Sequence, residues 1–356
     1  MFQVSLQHCL ASSDSEDELI LVHTIFRHGN RAISDSLYSR NPYGAESYYA
    51  PYGYGQLNNE GKLTEYKLGQ ALRERYDSFL GPEYSVNLID ARSTNVTRTK
   101  MSILAVFAGL FPPTEDLLWN QNLLWQPITY DLVAYDKVLD GRKVCTNYNK
   151  AYKKVVKSDE IQAALKPYQE MFEYLSNRTG LELVITKPKK VANLYAELVI
   201  QKAYGYPIDD FFTEYLEDMK RINIANYYLM TNTSKLRRLV SGYLIKKIIV
   251  DTTTKVGNLT SPVKLYMYSA HDKTIGTLLA SLDIFEDEDV PNFGSYVLVE
   301  VWKINGIFGY KFYYQNYIYD EPVLKKIPGC DEFCPIEDLT KLVSNILPDD
   351  DYCKLE

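Results

Sequence analysis

The distribution of apolar and polar residues divides the chain into buried strands and amphipathic helices. Residues 18–26, ELILVHTIF, are almost uninterruptedly apolar or β-branched, which predicts a buried strand. Residues 58–76 begin with asparagine, have an acidic first turn and repeat apolar side chains at helical spacing, which predicts a helix. A short strand over 84–94 precedes an apolar helix over 98–111 that ends at two prolines. This order predicts an α/β fold with a mainly parallel sheet flanked by helices.

The second half of the chain has a helical middle followed by a return to strands. Residues 131–250 are rich in Lys, Glu, Tyr and Leu at helical spacing, and we predict that they form a smaller helical cap. A strand over 263–272 with a helix after it, and a hairpin turning at Asn305-Gly306, complete the pattern. We therefore predict one α/β domain that carries the chemistry, 15–130 and 251–356, with the cap at 131–250 inserted in it.

Composition narrows the possible partners. Lys and Arg number 39 against 46 Asp and Glu, a formal net charge of −7, which argues against nucleic acid as the main partner. No apolar run approaches the length of about 20 residues that a membrane-spanning helix needs. Any cationic site in this chain must therefore be a local cluster of positive charge in a protein whose net charge is negative.

Cysteines and glycosylation motifs favour the secretory route. N-glycosylation motifs occur at Asn95, Asn177, Asn232 and Asn258, and four in one chain indicate a secreted or lysosomal protein. On that route Cys330 can pair with Cys334 across a short loop, and Cys145 with Cys353. One interpretation of residues 1–13 is a remnant of a signal peptide, although the segment lacks a basic start and a long apolar centre.

Three polar clusters follow directly after predicted strands. They are Arg27-His28-Arg31, Arg92-Ser93-Thr94 and His271-Asp272, whereas the motifs GxGxxG, GxxxxGK[ST], GxSxG and HExxH do not occur. In open α/β sheets the carboxyl ends of the strands form the edge where ligands bind. We therefore expect these three clusters to meet.

The pooled side chains suit phosphate chemistry. Arginine offers planar paired donors for phosphate oxygens and stays charged, so three converging guanidiniums require a multiply charged anion. A neutral histidine can attack phosphorus, and Asp272 can protonate the leaving alcohol. The scheme requires no metal and no cofactor, because the arginines stabilise the transition-state charge.

Each cluster also has a purely structural interpretation. His28 and Arg31 can be solvated loop residues, Asp272 can simply cap the following helix, and Arg92 can be half of an ion pair. The joint occurrence favours the site, because two of only four histidines lie in these loops. His23, inside the first strand, is interpreted as structural.

Four separated segments resemble the histidine acid phosphatases, branch 2 of the histidine phosphatase superfamily, with insect venom, prostatic and lysosomal types among its members. The segments are FRHGNRAI at 26–33 for the motif RHGxRxP, GQLNNEGKLTEYKLGQALRERY at 55–76, ARSTNVTRTKMSILAVFAGLFPP at 91–113, and YSAHDKTIGTLLASL at 268–282 for the HD motif.

The resemblance implies roles for individual residues. His28 would be the nucleophile and Asp272 the proton donor, while Arg27, Arg31, Arg92 and His271 would bind phosphate. It also supports pairing of Cys145 with Cys353, leaves Cys9 without a partner and suggests a homodimer. Ile33 occupies the position of the motif's proline, which leaves the loop more mobile but removes no catalytic group.

The predicted function is hydrolysis of small phosphate monoesters by double displacement through a phosphohistidine. We further expect Gly29 to allow close approach of the ligand, and Tyr43–Tyr54 to line the pocket mouth and favour aromatic or nucleoside phosphates. Alternatives are an inositol-phosphate or lysophospholipid phosphatase of the same superfamily, and a secreted ligand-binding or allergen-like protein with a weakened site.

Overall fold

A computed structural model describes residues 17–285, 290–316 and 321–355. Residues 1–13, with Cys9, lie outside the described part of the chain. Eight strands form one mixed sheet in the order β3-β2-β4-β1-β5-β6-β7, with β8 paired to β6. The strands are β1 Glu18–Arg27, β2 Ile89–Ser93, β3 Asp131–Leu132, β4 Leu265–Ala270, β5 Tyr296–Ile304, β6 Ile307–Gln315, β7 Val323–Lys325 and β8 Cys334–Pro335.

Strands β3, β2, β4 and β1 run parallel, and the hairpin β5–β6 extends the sheet antiparallel to β1. Twelve α-helices lie in the described part of the chain. They are α1 Asn59–Leu80, α2 Thr97–Leu110, α3 Lys137–Val144, α4 Thr146–Val156, α5 Asp159–Leu165, α6 Gln169–Thr179, α7 Lys189–Ala203, α8 Leu216–Thr231, α9 Ser234–Arg237, α10 Tyr243–Gly257, α11 Asp272–Ser281 and α12 Ile336–Leu342. The predicted α/β fold, a sheet flanked by helices, is confirmed.

Helices cover both faces of the sheet, which explains why β1 is mostly apolar and why its His23 and Thr24 are fully buried. Leu21 and Ile25 pack into a core shared with α8, α10 and α11. Val22 and Phe26, at the alternate positions, pack against α1 and α2 on the opposite face. Because neither face of β1 meets solvent, the charged residues that follow it reach the surface of the sheet at its carboxyl end.

Part of the helical middle has a core of its own. Phe172 of α6, Leu194 of α7 and Met219 of α8 are buried together with Tyr38, which belongs to the loop after β1. Helix α10, in contrast, packs on the sheet. The division of the chain into a catalytic domain and an inserted cap stays a prediction.

The described part of the chain contains two disulfides, as the sequence suggested. Cys145, at the junction of α3 and α4, is bonded to Cys353, and Cys330 is bonded to Cys334 at the start of β8. Within the described ranges, no helix has both the length and the apolar composition required to cross a membrane.

Candidate active site

The carboxyl ends of β1, β4 and β2 lie side by side at one edge of the sheet. The backbone pairing continues past the strands: the amide of His28 donates to the carbonyl of Ala270 (3.1 Å), and the amide of Thr94 donates to the carbonyl of Ser269 (3.2 Å). The rings of His28 and His271 are therefore neighbours, with centroids 5.5 Å apart. Two predicted clusters that are far apart in sequence meet because β1 and β4 are adjacent parallel strands.

Glycine at position 29 is required by contact with the protein itself. A Cβ on Gly29 would lie 2.3 Å from the carbonyl oxygen of Gly61, and one on Gly61 would lie 2.2 Å from the carbonyl oxygen of Asn30. The loop after β1 thus packs backbone to backbone against the first turn of α1. This corrects the expectation that Gly29 serves close approach of a ligand.

A cavity of about 310 Å³ opens at this edge. Its walls come from the loop after β1, from α2 and α3, from α7, and from the start of α11. The sequence-predicted residues that line it are Arg27, His28, Arg31, His271 and Asp272.

His28 is held in one tautomer with a defined reactive nitrogen. Its Nδ1 lies 2.9 Å from the carbonyl oxygen of Gly29, which can only accept, so Nδ1 carries the proton. The lone pair is therefore on Nε2, which accepts a hydrogen bond from Nε of Arg98 (2.9 Å). Burial, followed by the positive charges of Arg98 and Arg27, holds the pKa of His28 well below its usual value. The neutral form of His28 is therefore favoured.

Three guanidiniums surround that nitrogen. Arg27 donates to the carbonyl of Pro291 (2.6 Å) and stacks on the ring of Phe293 at 3.9 Å. Arg31 donates to the carbonyl of Ala32 (2.7 Å). Burial, then Arg98 and Arg27, lower the pKa of Arg31 to about 9. This crowding of like charge is the electrostatic condition that a phosphate group would relieve.

The third guanidinium belongs to Arg98, so the prediction for Arg92 is corrected. Arg92 does not line the cavity, since its Nη1 lies 3.5 Å from Oδ1 of Asp136, the residue that caps α3. Arg98 lies in the first turn of α2, which begins at the same edge of the sheet. The ion-pair interpretation of Arg92 was the right one, and the sequence reasoning missed Arg98.

His271 and Asp272 complete the polar wall. Nε2 of His271 is hydrogen-bonded to Thr94 (3.1 Å), which leaves Nδ1 for a ligand. Asp272 accepts a hydrogen bond from the hydroxyl of Tyr227 (2.9 Å), a second residue that the sequence reasoning missed. Burial raises the pKa of Asp272, but Lys273, Arg27, Tyr227 and His271 together outweigh it, so the pKa lies below its usual value in the unliganded protein.

The tyrosine-rich loop does not line the cavity, contrary to expectation. Tyr43 stacks on Tyr206 with centroids 4.8 Å apart, and Tyr49 meets Tyr204 edge to face at 5.0 Å. These contacts fix the loop on the turn that follows α7. Ile33 joins the same packing: it is 1% exposed, lies beside Tyr49 and also lines the cavity, so burial anchors this position without a proline.

A histidine whose Nε2 lone pair faces Arg98, three arginines and a carboxyl thus lie together at the strand ends of an α/β sheet, the arrangement expected of a histidine-type phosphatase. The chain belongs to the family described as histidine phosphatase superfamily (branch 2), whose profile matches residues 18–313. It is 32% identical to human prostatic acid phosphatase over 340 residues, covering 94% of this chain and 86% of that one. It is 30% identical to a venom acid phosphatase of Apis mellifera (93% and 86% covered) and to lysosomal acid phosphatase of Rattus norvegicus (93% and 79% covered).

Solved structures share the fold at lower sequence identity. The phytase of Hafnia alvei aligns with a TM-score of 0.70 at 16% identity, covering 97% of this chain and 100% of that one. The phytase of Citrobacter braakii aligns with a TM-score of 0.69, also at 16% identity, covering 95% and 100%. At these identities the likeness concerns the fold.

Proposed function

We propose that this protein is an acid phosphatase that hydrolyses small phosphate monoesters through a covalent phosphohistidine at His28. The observation that carries the proposal is the Nε2 lone pair of His28, which faces the guanidinium of Arg98 in the cavity that Arg27, Arg31 and Asp272 also line. Membership of the superfamily, and curated relatives named acid phosphatases over more than nine tenths of the chain, support it.

Arg27, Arg31, Arg98 and His271 are the proposed ligands of the phosphoryl oxygens. In the free protein Arg98 occupies the lone pair of His28, so binding requires this guanidinium to move from Nε2 to a phosphate oxygen. The anion then also offsets the mutual repulsion of the arginines. Fixed cationic donors around phosphorus stabilise the charge that develops in the transition state.

The proposed reaction has two displacements. In the first, Nε2 of His28 forms a bond to phosphorus, the ester P–O bond breaks, and Asp272 gives its proton to the departing alkoxide. In the second, water attacks phosphorus, the carboxylate of Asp272 takes its proton, and the P–N bond breaks to release phosphate.

An acid optimum follows from the protonation states that this scheme needs. The second pKa of a phosphate monoester is about 6, so the substrate itself carries a proton in mild acid. Its negative charge beside Asp272 raises the pKa of that carboxyl above its value in the free protein. The same negative charge also raises the pKa of His28, but from a starting value that burial, Arg98 and Arg27 hold well below the usual one. Acid therefore supplies the proton donor without inactivating the nucleophile.

The secretory location is proposed on two grounds. The two disulfides require an oxidising compartment, and Asn95, Asn177, Asn232 and Asn258 are all exposed. We therefore propose a secreted or lysosomal glycoprotein. A downward gel shift after treatment with an N-glycosidase tests this for protein secreted from eukaryotic cells, and an unchanged mobility would refute it.

A homodimer is proposed from the exposed apolar segment around β3. Trp119 (58% exposed), Leu124 (69%) and Tyr135 (62%) lie close in sequence to Leu132 (46%), which belongs to the edge strand β3. Sedimentation velocity should give a dimer that Leu124→Glu converts to a monomer, while Leu63→Glu, at an exposed site on α1, leaves it intact. A wild-type protein that is monomeric at micromolar concentration would refute this.

Hydrolysis of 4-nitrophenyl phosphate tests the function. We expect activity in mild acid, and His28→Ala should lose nearly all of it. Rapid acid-free denaturing quench of the wild type with radiolabelled substrate should trap label on His28, because phosphohistidine is the intermediate. Activity that survives His28→Ala would refute the mechanism, and a wild type inactive on all monoesters would refute the function and support the ligand-binding alternative.

A further inference from the structure

The cavity contains more positive charge than one phosphate group neutralises. Three carboxyls line it, Asp35, Glu197 and Asp272, against six cationic side chains. The six are Arg27, Arg31, Arg98, Arg142, Lys143 and Lys273. The excess of three positive charges occurs in a chain whose formal net charge is −7. A phosphate dianion offsets only two of them.

Nearby carboxyls do not remove this excess. Glu65, which faces Arg27 from α1, is fully buried, and burial raises its pKa well above the usual value despite the opposing effect of Arg27, so a negative charge is disfavoured there. Burial also raises the pKa of Glu197, which accepts hydrogen bonds from Asn41 and the amide of Leu37. Of the six cations, Lys143 alone has a carboxylate at salt-bridge distance within the described residues, Asp140 at 2.5 Å.

Arg142 and Lys273 remain as the cations outside the proposed phosphate ligands. Within the described ranges, neither side chain makes a hydrogen bond or an ion pair at hydrogen-bonding distance. They come from different elements, the end of α3 and the first turn of α11, yet both line the main cavity and a smaller one beside His271. Two unpaired cations thus converge on one wall.

Their mutual repulsion is evident in Lys273. Burial, opposed by Asp272 but reinforced by Arg142, Lys189 and Arg27, lowers the pKa of this amine to about 8. At the acid pH of the proposed reaction the amine is fully protonated. The wall therefore presents two positive charges, of which Asp272 offsets part of that on Lys273.

The position of the two cations relates them to the leaving group. Asp272 protonates the departing alcohol in the proposed reaction, so the alcohol part of the ester lies on the side of the cavity where Asp272 is located. Lys273 follows Asp272 directly, and Arg142 lines the same wall. An anionic group on the alcohol would thus fall near Arg142 and Lys273.

We propose that Arg142 and Lys273 form a second anion subsite, which selects phosphate monoesters whose alcohol carries another phosphate or a carboxylate. This rests on the proposed function and specifies its substrate class. A dianionic second group would neutralise the remaining charge and satisfy the donors of both cations.

Two matched substrate pairs test the subsite. Fructose 1,6-bisphosphate differs from fructose 6-phosphate by one phosphate, and 3-phosphoglycerate differs from glycerol 3-phosphate by one carboxylate. We expect kcat/KM to be about tenfold higher for the more anionic member of at least one pair, as one charge-assisted hydrogen bond would give. A preference in the first pair alone assigns the subsite to phosphate, and one in the second to carboxylate.

Variants then locate the preference. Arg142→Met and Lys273→Met should each reduce the ratio of kcat/KM within the preferred pair about tenfold, mainly through KM, because this binding is common to ground and transition states. The ratio within a pair is measured, rather than kcat/KM itself, because Lys273 also influences the pKa of Asp272, which acts on both substrates of a pair. Lys153→Met, an exposed lysine on α4, is the matched control and should leave the ratio unchanged.

Wild-type protein alone gives a further test, which does not depend on the folding of variants. The preference should shrink as NaCl is raised from about 0.02 to 0.5 M, because salt screens partly exposed charges. Activity without a preference in either pair, or a preference that survives both substitutions, would overturn the subsite and leave the phosphatase proposal intact. Wild-type protein inactive on all four esters would overturn both.

Discussion

Replacing Arg98 and Arg92 in parallel distinguishes the roles of two arginines, Arg92 in β2 and Arg98 in the first turn of α2. Both are partly buried in the same short stretch of chain, and both become Met in the experiment, which keeps the length of the side chain and removes its charge. Arg98 contacts the reactive nitrogen of His28, whereas Arg92 contacts the carboxyl that caps α3. The substitutions should therefore affect different properties.

Arg98→Met should reduce kcat/KM for 4-nitrophenyl phosphate by about 10²–10³, or about 3–4 kcal/mol, the usual cost of removing one preorganised donor from a transition-state oxyanion. Its effect on stability should be small or favourable, because burial and Arg27 already lower the pKa of this guanidinium. Arg92→Met should change kcat/KM less than tenfold.

The cost of Arg92→Met should instead be structural. Asp136 is 6% exposed and would lose its only cationic partner at hydrogen-bonding distance among the described residues, at a cost of about 1–3 kcal/mol. For a chain of 356 residues this corresponds to a decrease in Tm of about 1–4 °C. Steady-state kinetics at pH 5 and differential scanning calorimetry measure the two effects. A larger kinetic loss for Arg92→Met than for Arg98→Met would refute the assignment of the third phosphate arginine.

Three further predictions follow from groups around and beneath the site. Asp272→Asn should slow the hydrolysis of alkyl phosphates far more than that of 4-nitrophenyl phosphate, whose leaving group needs little protonation, and equal losses on both substrates would contradict the proton-donor role. Tyr227→Phe should move the alkaline limb of the pH profile of kcat to higher pH, because loss of its hydrogen bond raises the pKa of Asp272. Buried His23 has a pKa of about 3 against 6.5 when exposed, so the stability it contributes is complete above pH 6.5 and is lost as pH falls towards 3. The free energy of unfolding, measured with urea, should therefore be lower at pH 5 than at pH 7, and His23→Phe should remove about 2 kcal/mol of that difference. Replacing Cys145 and Cys353 by Ser opens a loop with a sequence separation of 208 and should lower the free energy of unfolding by about 4–5 kcal/mol. The same replacement of Cys330 and Cys334 should lower it by about 2 kcal/mol, because that loop is short. Calorimetry that shows the reverse order would refute the loop-entropy argument.

The sequence predicts the elements whose hydrophobic period is long enough to be unambiguous. The helix predicted over 58–76 is observed as Asn59–Leu80, and the one over 98–111 as Thr97–Leu110. The strand predicted over 84–94 is confined to Ile89–Ser93. Strands β3, β7 and β8 were not predicted, because two or three residues give no measurable alternation.

The sequence predicts those residues of the site that lie directly at the carboxyl ends of strands. Arg27, His28, His271 and Asp272 directly continue β1 and β4, so the rule that ligands bind at the carboxyl edge places them correctly. The same rule selected Arg92, whose side chain turns away to Asp136. Arg98 was missed because it reaches the edge from a helix; the available signal was that a helix starting at this edge also directs its first turn into the site.

Contacts between segments that are far apart in the sequence could not be predicted from it. The aromatic loop was placed at the pocket mouth because nothing in segment 41–57 reveals that its partners are Tyr204 and Tyr206, after α7. Likewise, the meeting of Arg142 with Lys273 depends on how α3 and α11 pack.

The position of β1 between β4 and β5 has a consequence for biosynthesis. Both hydrogen-bonding partners of this ten-residue strand lie late in the chain, beginning at Leu265 and Tyr296. At a translation rate of about 5–20 residues per second, β1 waits tens of seconds for its first neighbour. During that interval an apolar strand with two unpaired edges is exposed on the nascent chain, a ready target for chaperones and for aggregation. The same delay keeps His28 apart from Asp272, so the chain is catalytically silent until most of it has been made.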